Sequence, residues 1–536
     1  MKNHKNCNTH DHQKWNRRSF LQTLGLAGVG SVALANTNVD VFENNALTQA
    51  LANNENDRIL VLVRLFGGND GLNTIVPLNQ YDLYANYRPT LKRDPSDLWN
   101  LSDDYAMPNL MNTLTPNWNE GAMKIVHSVG YENQSQSHFK GSDIWGAASS
   151  DTAVDTGWMG RYFKNKYADY VENQPDFPVA LQIGTSNNNT FHGDDVAAYS
   201  FAIQNMSKLA SIINSGELYD TTDLPDCTYG DKVSFVRALT NSTNTYASVI
   251  HEAYSNSTDY TDGVGYDTEN SLGTYLNVIA RLIKGGIGTK VFMLTMGGYD
   301  THSNQAGNHD ALLTSLSQSI RHFHDDLKAA GYGDNVLSMV FSEFGRRVAD
   351  NGSGTDHGVA GPIMFFGDAL NGSGFVGEFG SIEEDQLYRG RDLQWKTDFK
   401  QVYASVLKDW MCVDNSVVDE VIIGQNFDSL DLGFQCDSKT LSNPKLRPTI
   451  ASFRSNVFYE NGITYINISN QQAQHIVISL YDLNGQFLGE VINDILSIGN
   501  YKLDIKQKLQ KDITRGYYIY RVSCNSRNES KKVLVL

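Results

Sequence analysis

The sequence predicts an α/β fold, a mainly parallel β-sheet sandwiched by helices, followed by a small C-terminal antiparallel β-sandwich. Three observations predict it. Stretches of consecutive apolar residues, of which ILVLV at 59–63 is the first, have the continuity of strands buried on both faces. Between two such stretches, HDALLTSLSQSIRHFHDDLKAAG sets Leu312, Leu313, Leu316, Ile320, Phe323 and Leu327 at helical spacing. From residue 448 onward the pattern changes to apolar–polar alternation of period two, the mark of half-buried antiparallel strands.

The elements follow in chain order. NRRSFLQTLGLAGVGSVALA (16–35) sets two arginines before a modest apolar run and ends in Ala33-Leu34-Ala35. It resembles a twin-arginine export signal with its cleavage site, so residues 1–35 are read as a signal peptide. The run is too short and too weakly apolar for a membrane span, and no other run in the sequence reaches that length.

The body, residues 58–435, opens on ILVLVRLFGGNDGLN (59–73). Further runs of the buried-strand type are MKIVHSVG (123–130), PVALQIG (178–184), KVFMLTMGGYD (290–300), VLSMVFSEFG (336–345) and GPIMFFG (361–367). In sheets of this class ligands gather beyond the carboxyl ends of the strands. Polar clusters stand where the runs end. Asp70 follows the first run, and Asp300 with His302 follows the run at 290. Ser137-His138 lies at an apparent helix start in QSQSHFKGSDIW (134–145), and Glu343 ends another run with Arg346 and Arg347 behind it. Asp356-His357 sits in the glycine-rich loop SGTDHGVAGP (353–362), ahead of the last run. Taken singly, such an aspartate is more often a turn former or an N-cap than a ligand. His309, His322 and His324 read as one side of a solvated helix, and His192, Asp194 and Asp195 as an acidic, solvated loop.

Residues 436–447 read as a linker, and 448–536 as the sandwich, with ITYINI, HIVISLYDLNGQFLGEVI and GYYIYRVS as strands and Asn484-Gly485 as a turn. VISLYDLNGQ, GYYIYRVS and KKVLVL resemble the C-terminal sorting domain of type IX secretion cargo. With the leader, that resemblance implies an exported protein, periplasmic in transit and then at the cell surface or secreted. Its partners would include the twin-arginine and type IX machineries.

Composition narrows the function. Hydrophobic residues at 40% and charged residues at 19% describe a folded globular chain. A net charge of -17 excludes a general nucleic-acid binder, which needs a basic surface. From residue 451 onward ten Lys/Arg stand against seven Asp/Glu, a net of +3 that leaves -20 on the rest. Five cysteines without a CxxC pair exclude a thiolate zinc site, while Cys412 and Cys436 are candidates for one disulfide.

Oxygen and imidazole donors suit zinc, manganese, magnesium, calcium or iron. Two cations close together serve displacement at phosphorus, one activating the nucleophile and the other stabilising the leaving oxygen. A hydroxyl at a helix start is a candidate nucleophile, and Arg346 or Arg347 a candidate bidentate grip on anionic oxygens.

LVRLFGGNDGLNTIVP, VHSVGYENQSQSHFKGSDIW, GGYDTHSNQ and FSEFGRRVADNGSGTDHGVAGPIMFFG, in that order, resemble the domain of unknown function 1501 family of exported bacterial proteins. The resemblance covers about residues 58–430 and implies an alkaline phosphatase-like fold with two divalent metal ions at the carboxyl edge of the sheet. It implies Asp70, Asp356 and His357 as ligands, with Asp300 and His302 in the second site, His138 or His309 completing it, and Ser137 as nucleophile. The function expected is hydrolysis of phosphate or sulfate esters, of a small molecule or a glycan. The alternative is a non-catalytic surface protein that keeps the fold and binds a glycan or a partner.

Overall fold

The computed structural model describes residues 57–535, apart from 152, 169, 171–174, 185–187, 195–197, 205–242, 244, 260–265, 267–269, 424–425, 437–452, 461–462, 471–473, 483–485, 498, 510–512 and 525–526. The twin-arginine segment, most of the linker, Asp195 and the Asn484-Gly485 turn lie outside the described residues. The chain divides into two compact units, with Arg447–Leu536 in one and the main sheet in the other.

The expected strands form. They are β1 (Ile59–Leu65), β2 (Met123–Gly130), β3 (Ala180–Ile183), β5 (Val291–Met296), β6 (Val336–Phe341) and β7 (Gly361–Phe366), joined by three strands outside the expected runs, β4 (Ser200–Ile203), β8 (Gly374–Val376) and β9 (Thr397–Asp398). Among the described residues they make one nine-stranded sheet in the order β8-β2-β7-β6-β1-β5-β3-β4, with β9 also on β2. β1 runs parallel to β5 and β6, whereas β7 runs antiparallel to both β2 and β6. The sheet is therefore mixed but mainly parallel, as the sequence predicts.

β1 shows why its run is unbroken. Val61 and Val63 enter the core on one face, with α3 (Ser271–Lys284) and α4 (Gln305–Ala329), while Leu60 and Leu62 enter the core on the other. The second face carries α1 (His138–Ala147), α2 (Trp158–Lys166) and α5 (Phe399–Ser405). A strand between two helical layers has no polar face to show. Arg58, at the amino end of β1, donates to the carbonyls of Asp409 (2.7 Å) and Gln435 (2.7 Å) beside a Cys412–Cys436 disulfide. Cys436, read as the first linker residue, is thus tied to the body.

The reading of His309 and His324 as solvated is corrected. They are 1% and 5% exposed, on the sheet-facing stripe of α4, bonded to Asn69 Oδ1 (2.9 Å) and Ser338 Oγ (3.0 Å). Burial pushes His309 down to about 4 and His324 to about 3, and takes His127 to about 4 as well. The folded state thus refuses protons that the unfolded chain accepts near pH 6.5. Stability from these groups is complete above about pH 6.5 and is lost as pH falls toward about 4. Thermal melts across that range should show a falling Tm, and a His324→Gln variant should flatten the slope. A Tm independent of pH between 7 and about 4 would contradict the burial.

The C-terminal unit holds two antiparallel sheets. One pairs Phe453–Glu460, Ile463–Asn470 and Gly499–Asp504; the other pairs Phe487–Leu496, Gln474–Tyr481, Gly516–Cys524 and Arg527–Val535. Ile466, Ile468, Ile476, Ile478, Tyr520 and Val522 share its core, which the period-two pattern places on the inward faces. Among the described residues no helix is long and apolar enough to cross a membrane.

Candidate metal centre

The reversed strand β7 explains where Asp356-His357 ends up. Strands β1, β2, β5 and β6 deliver their C-terminal loops to one edge; β7, running the other way, brings its N-terminal loop to that same edge. Residues 345–347 pair with 356–359 through Arg347 N to Asp356 O (3.0 Å) and Gly345 N to Val359 O (2.9 Å), which sets His357 opposite Arg346. Gly358 permits this approach, since a Cβ there would lie 2.3 Å from the Arg346 carbonyl carbon. After β1, Gly67 turns at φ +127°, and a Cβ there would lie 2.3 Å from the Asp300 amide nitrogen, a conformation and a closeness that only glycine accepts.

Three imidazoles meet at this edge. His138 Nε2 lies 3.3 Å from Asp300 Oδ2, while His302 Nε2 and His357 Nε2 each lie 3.1 Å from Asp300 Oδ1 and 2.9 Å from one another. The opposite nitrogen of each ring has its own acceptor. His138 Nδ1 is 2.8 Å from Glu343 Oε1, His357 Nδ1 2.7 Å from the Gln136 carbonyl, and His302 Nδ1 3.3 Å from Asp356 Oδ1. A carbonyl only accepts, so His357 carries its hydrogen on Nδ1 and its Nε2 lone pair faces Asp300. The carboxylates acting on His138 and His302 favour the same tautomer.

Three imidazole lone pairs gathered on the two oxygens of one carboxylate repel it unless a proton or a cation sits among them. Among the described residues His138, Asp300 and His357 also form the group of carboxylate and imidazole ligands whose donor atoms all fall within 4.8 Å. The neighbours hold this arrangement in place. Phe344, buried, packs its ring 4.9 Å from His138 and 4.8 Å from His357. Burial works against the Asp300 charge, but Arg346 and His357 outweigh it and hold the carboxyl down at about 2. The Glu343 hydrogen bond outweighs desolvation and raises His138, whereas desolvation lowers His357. Burial opposes the Asp356 charge as well, and Asn351, His302 and Arg347 together overcome it.

Not every expected residue joins. Asp70 is corrected: it is 1% exposed and pairs with the buried Arg88 at 2.5 Å, accepts from Gln305 Nε2, and caps Asn73 N. Burial alone would raise its carboxyl, yet Arg88 holds it below the usual range. It is a structural carboxylate, and without it the described residues assemble one ligand cluster rather than two.

Arg346 is corrected too. Its guanidinium donates to the carbonyls of Gly68 (2.7 Å), Thr355 (2.7 Å), Tyr299 (2.9 Å) and Gly67, and to Asp300 Oδ1 (2.8 Å). A fork so occupied has no free pair of N–H groups for a substrate. It positions Asp300 instead. His309 bonds Asn69 and stands outside the cluster. His192 is half-buried and Asp194 pairs with Lys164 at 2.7 Å, neither of them bonded to the cluster.

Ser137 is exposed and N-caps α1, its Oγ accepting from Lys140 N at 3.5 Å. It stands between Gln136 and His138, both of which touch the cluster. A cavity of about 850 Å³, lined in part by Tyr131, Ser135, Lys140 and Lys400, opens along the same segment. Two orienting residues escape a reading by residue type. Glu343 shares the post-strand position of Asp300 but reaches the cluster only through His138; Gln136 acts through its backbone, which no residue type announces.

Residues 247–422 match the family described as "Protein of unknown function (DUF1501)", a third of the chain. No curated protein matches the chain. It is similar to the phosphonate monoester hydrolase from Silicibacter pomeroyi at 9% identity over 89% of this chain and 88% of that one, TM-score 0.30. The lipoteichoic acid synthase from Listeria monocytogenes gives 9% identity over 87% and 94%, TM-score 0.27. An alkaline phosphatase from the Antarctic bacterium TAB5 gives 10% over 58% and 91%, TM-score 0.24.

Proposed function

We propose that this chain is an exported, metal-dependent hydrolase of phosphate or sulfate esters, its cation held by His138, Asp300, His302 and His357. The observation that carries the proposal is the convergence of three imidazole Nε2 atoms on one carboxylate, each ring fixed from behind. A nitrogen–oxygen donor set of this kind fits zinc or manganese better than calcium, which prefers oxygen alone. When bound, the cation would supply Lewis-acid polarisation of the ester.

The chain's own residues supply the rest. Glu343, Asp356 and the Gln136 carbonyl hold the three tautomers, and Arg346 holds Asp300 against the cluster. Ser137 is the nucleophile in this proposal. Its Oγ forms a bond to phosphorus or sulfur as the bond to the ester oxygen breaks. The hydroxyl proton ends on the departing alcohol, and water then releases phosphate or sulfate and restores the serine. The positive end of α1 favours the anionic oxygen that develops there.

The second reading is a surface protein that binds without turnover. It is favoured by Asp70 and Arg346, two groups expected at the chemistry that are committed to structure.

The test is metal content of the full-length folded protein by mass spectrometry, beside hydrolysis of aryl phosphates and aryl sulfates. A bound cation, and activity that a chelator removes and added metal restores, is the expected result. Bound metal with no turnover on any ester would support the second reading. A folded chain that takes up no cation at all would end the proposal.

A further inference from the structure

We propose that Arg347, Arg389 and Arg391 form an anion subsite beside the histidine cluster, made for a second oxyanion group on a polyanionic ester. The inference rests on the hydrolase reading above and names the substrate class it would take.

The subsite is joined to the cluster by a short chain of contacts. Gln136 touches His357 Nδ1 with its carbonyl (2.7 Å) and donates through Nε2 to Asp392 Oδ2 (3.3 Å). Arg391 Nε lies 3.6 Å from that same oxygen. On the other flank Arg347 pairs with Asp356 at 2.9 Å, and Asp356 faces His302. Arg391 thus lies against one carboxylate, Asp392, on which Arg347 and Arg389 also act electrostatically; its side chain is fully buried and its Oδ1 has no partner.

The turn that carries two of them is tightly built. Tyr388 and Asp392 exchange backbone hydrogen bonds at 2.8 and 2.9 Å, closing a three-residue loop. Arg389 and Gly390 both take positive φ, +54° and +66°. For a non-glycine residue that conformation costs about 1 kcal/mol and persists where the surroundings enforce it. Its result is that Arg389 stands exposed, its guanidinium 4.8 Å from the Tyr388 ring, next to the half-exposed Arg391.

Charge counting points to a ligand. Asp392 and Asp356 offer two negative charges to three guanidinium groups, and Asp356 is shared with His302. A surplus of positive charge at this one place, in a stretch (residues 1–450) whose net charge is -20, is what a negatively charged ligand would balance. Arg347 Nε is buried with no partner, while about a third of its side chain is exposed to solvent. Planar forks of this kind suit sulfate, phosphate and carboxylate oxygens.

The test is calorimetric binding of sucrose octasulfate to the full chain and to an Arg389→Ala/Arg391→Ala variant. Both positions are exposed and Gln136 Nε2 still donates to Asp392 in the variant, so it should fold, with a modestly lowered melt where Asp392 loses Arg391. The expected result is an affinity at least about 10-fold weaker in the variant, with salt weakening the wild type more steeply. The same pair is compared in a His357→Ala background, which lacks a ligand of the cation. An arginine-dependent drop that persists there supports a subsite separate from the metal, even should the ester chemistry fail. Equal binding by wild type and variant, absence of binding, or a drop that vanishes with His357 would each overturn the proposal.

Discussion

His357→Ala is expected to strip the cation and abolish ester hydrolysis while leaving the melt nearly unchanged. The ring contributes an Nε2 to the convergence on Asp300 and touches His302 Nε2 at 2.9 Å, so its loss opens the cluster at its most crowded point. What it leaves behind is mild, because the Gln136 carbonyl is only part-buried and gains access to water. A weakening of metal affinity beyond about 100-fold is expected, against about 10- to 100-fold for Glu343→Gln, which disturbs His138 from behind. Equilibrium dialysis of both variants against zinc and manganese reads this directly. Undiminished metal in His357→Ala would place the cation elsewhere.

Asp70→Ala should do the opposite. It leaves the Arg88 guanidinium buried with its carboxylate gone and strands Gln305 Nε2, while the cluster keeps all its ligands. Breaking a buried ion pair from one side costs about 3–5 kcal/mol. Denaturant unfolding should show that loss, with metal content per folded molecule unchanged. Replacing both partners, as in Asp70→Leu with Arg88→Met, should recover much of it, since an apolar pair of similar volume avoids the stranded charge. A stable Asp70→Ala protein that no longer binds metal would restore Asp70 to the site.

The contrast between Asp70 and Asp300 shows how far the sequence could be read. Both follow a buried strand and a pair of glycines, and both read locally as the same thing. Their fates are decided by partners far away in the chain. Arg88 and Gln305 claim the first; His138, His302, Arg346 and His357 gather around the second. Strands were legible because burial on two faces needs an apolar residue at every position. Asp356-His357 was legible as a functional pair, but its division of labour was not. His357 faces the centre, while Asp356 turns to the back of His302. The buried His309 and His324 were misread because an imidazole satisfied by one hydrogen bond can sit in a core, and residue type alone does not distinguish that from a solvated ring.

The Arg58 clasp has a mechanical consequence. Tension arriving along the chain from beyond Cys436 meets the disulfide first, then Cys412, and through the Arg58 hydrogen bonds the amino end of β1. That end is the pole of the sheet opposite the histidines, which stand beyond the carboxyl ends of β1, β5 and β6. A pull on the tail is thus borne by a covalent bond and a buried guanidinium before any strand can slide.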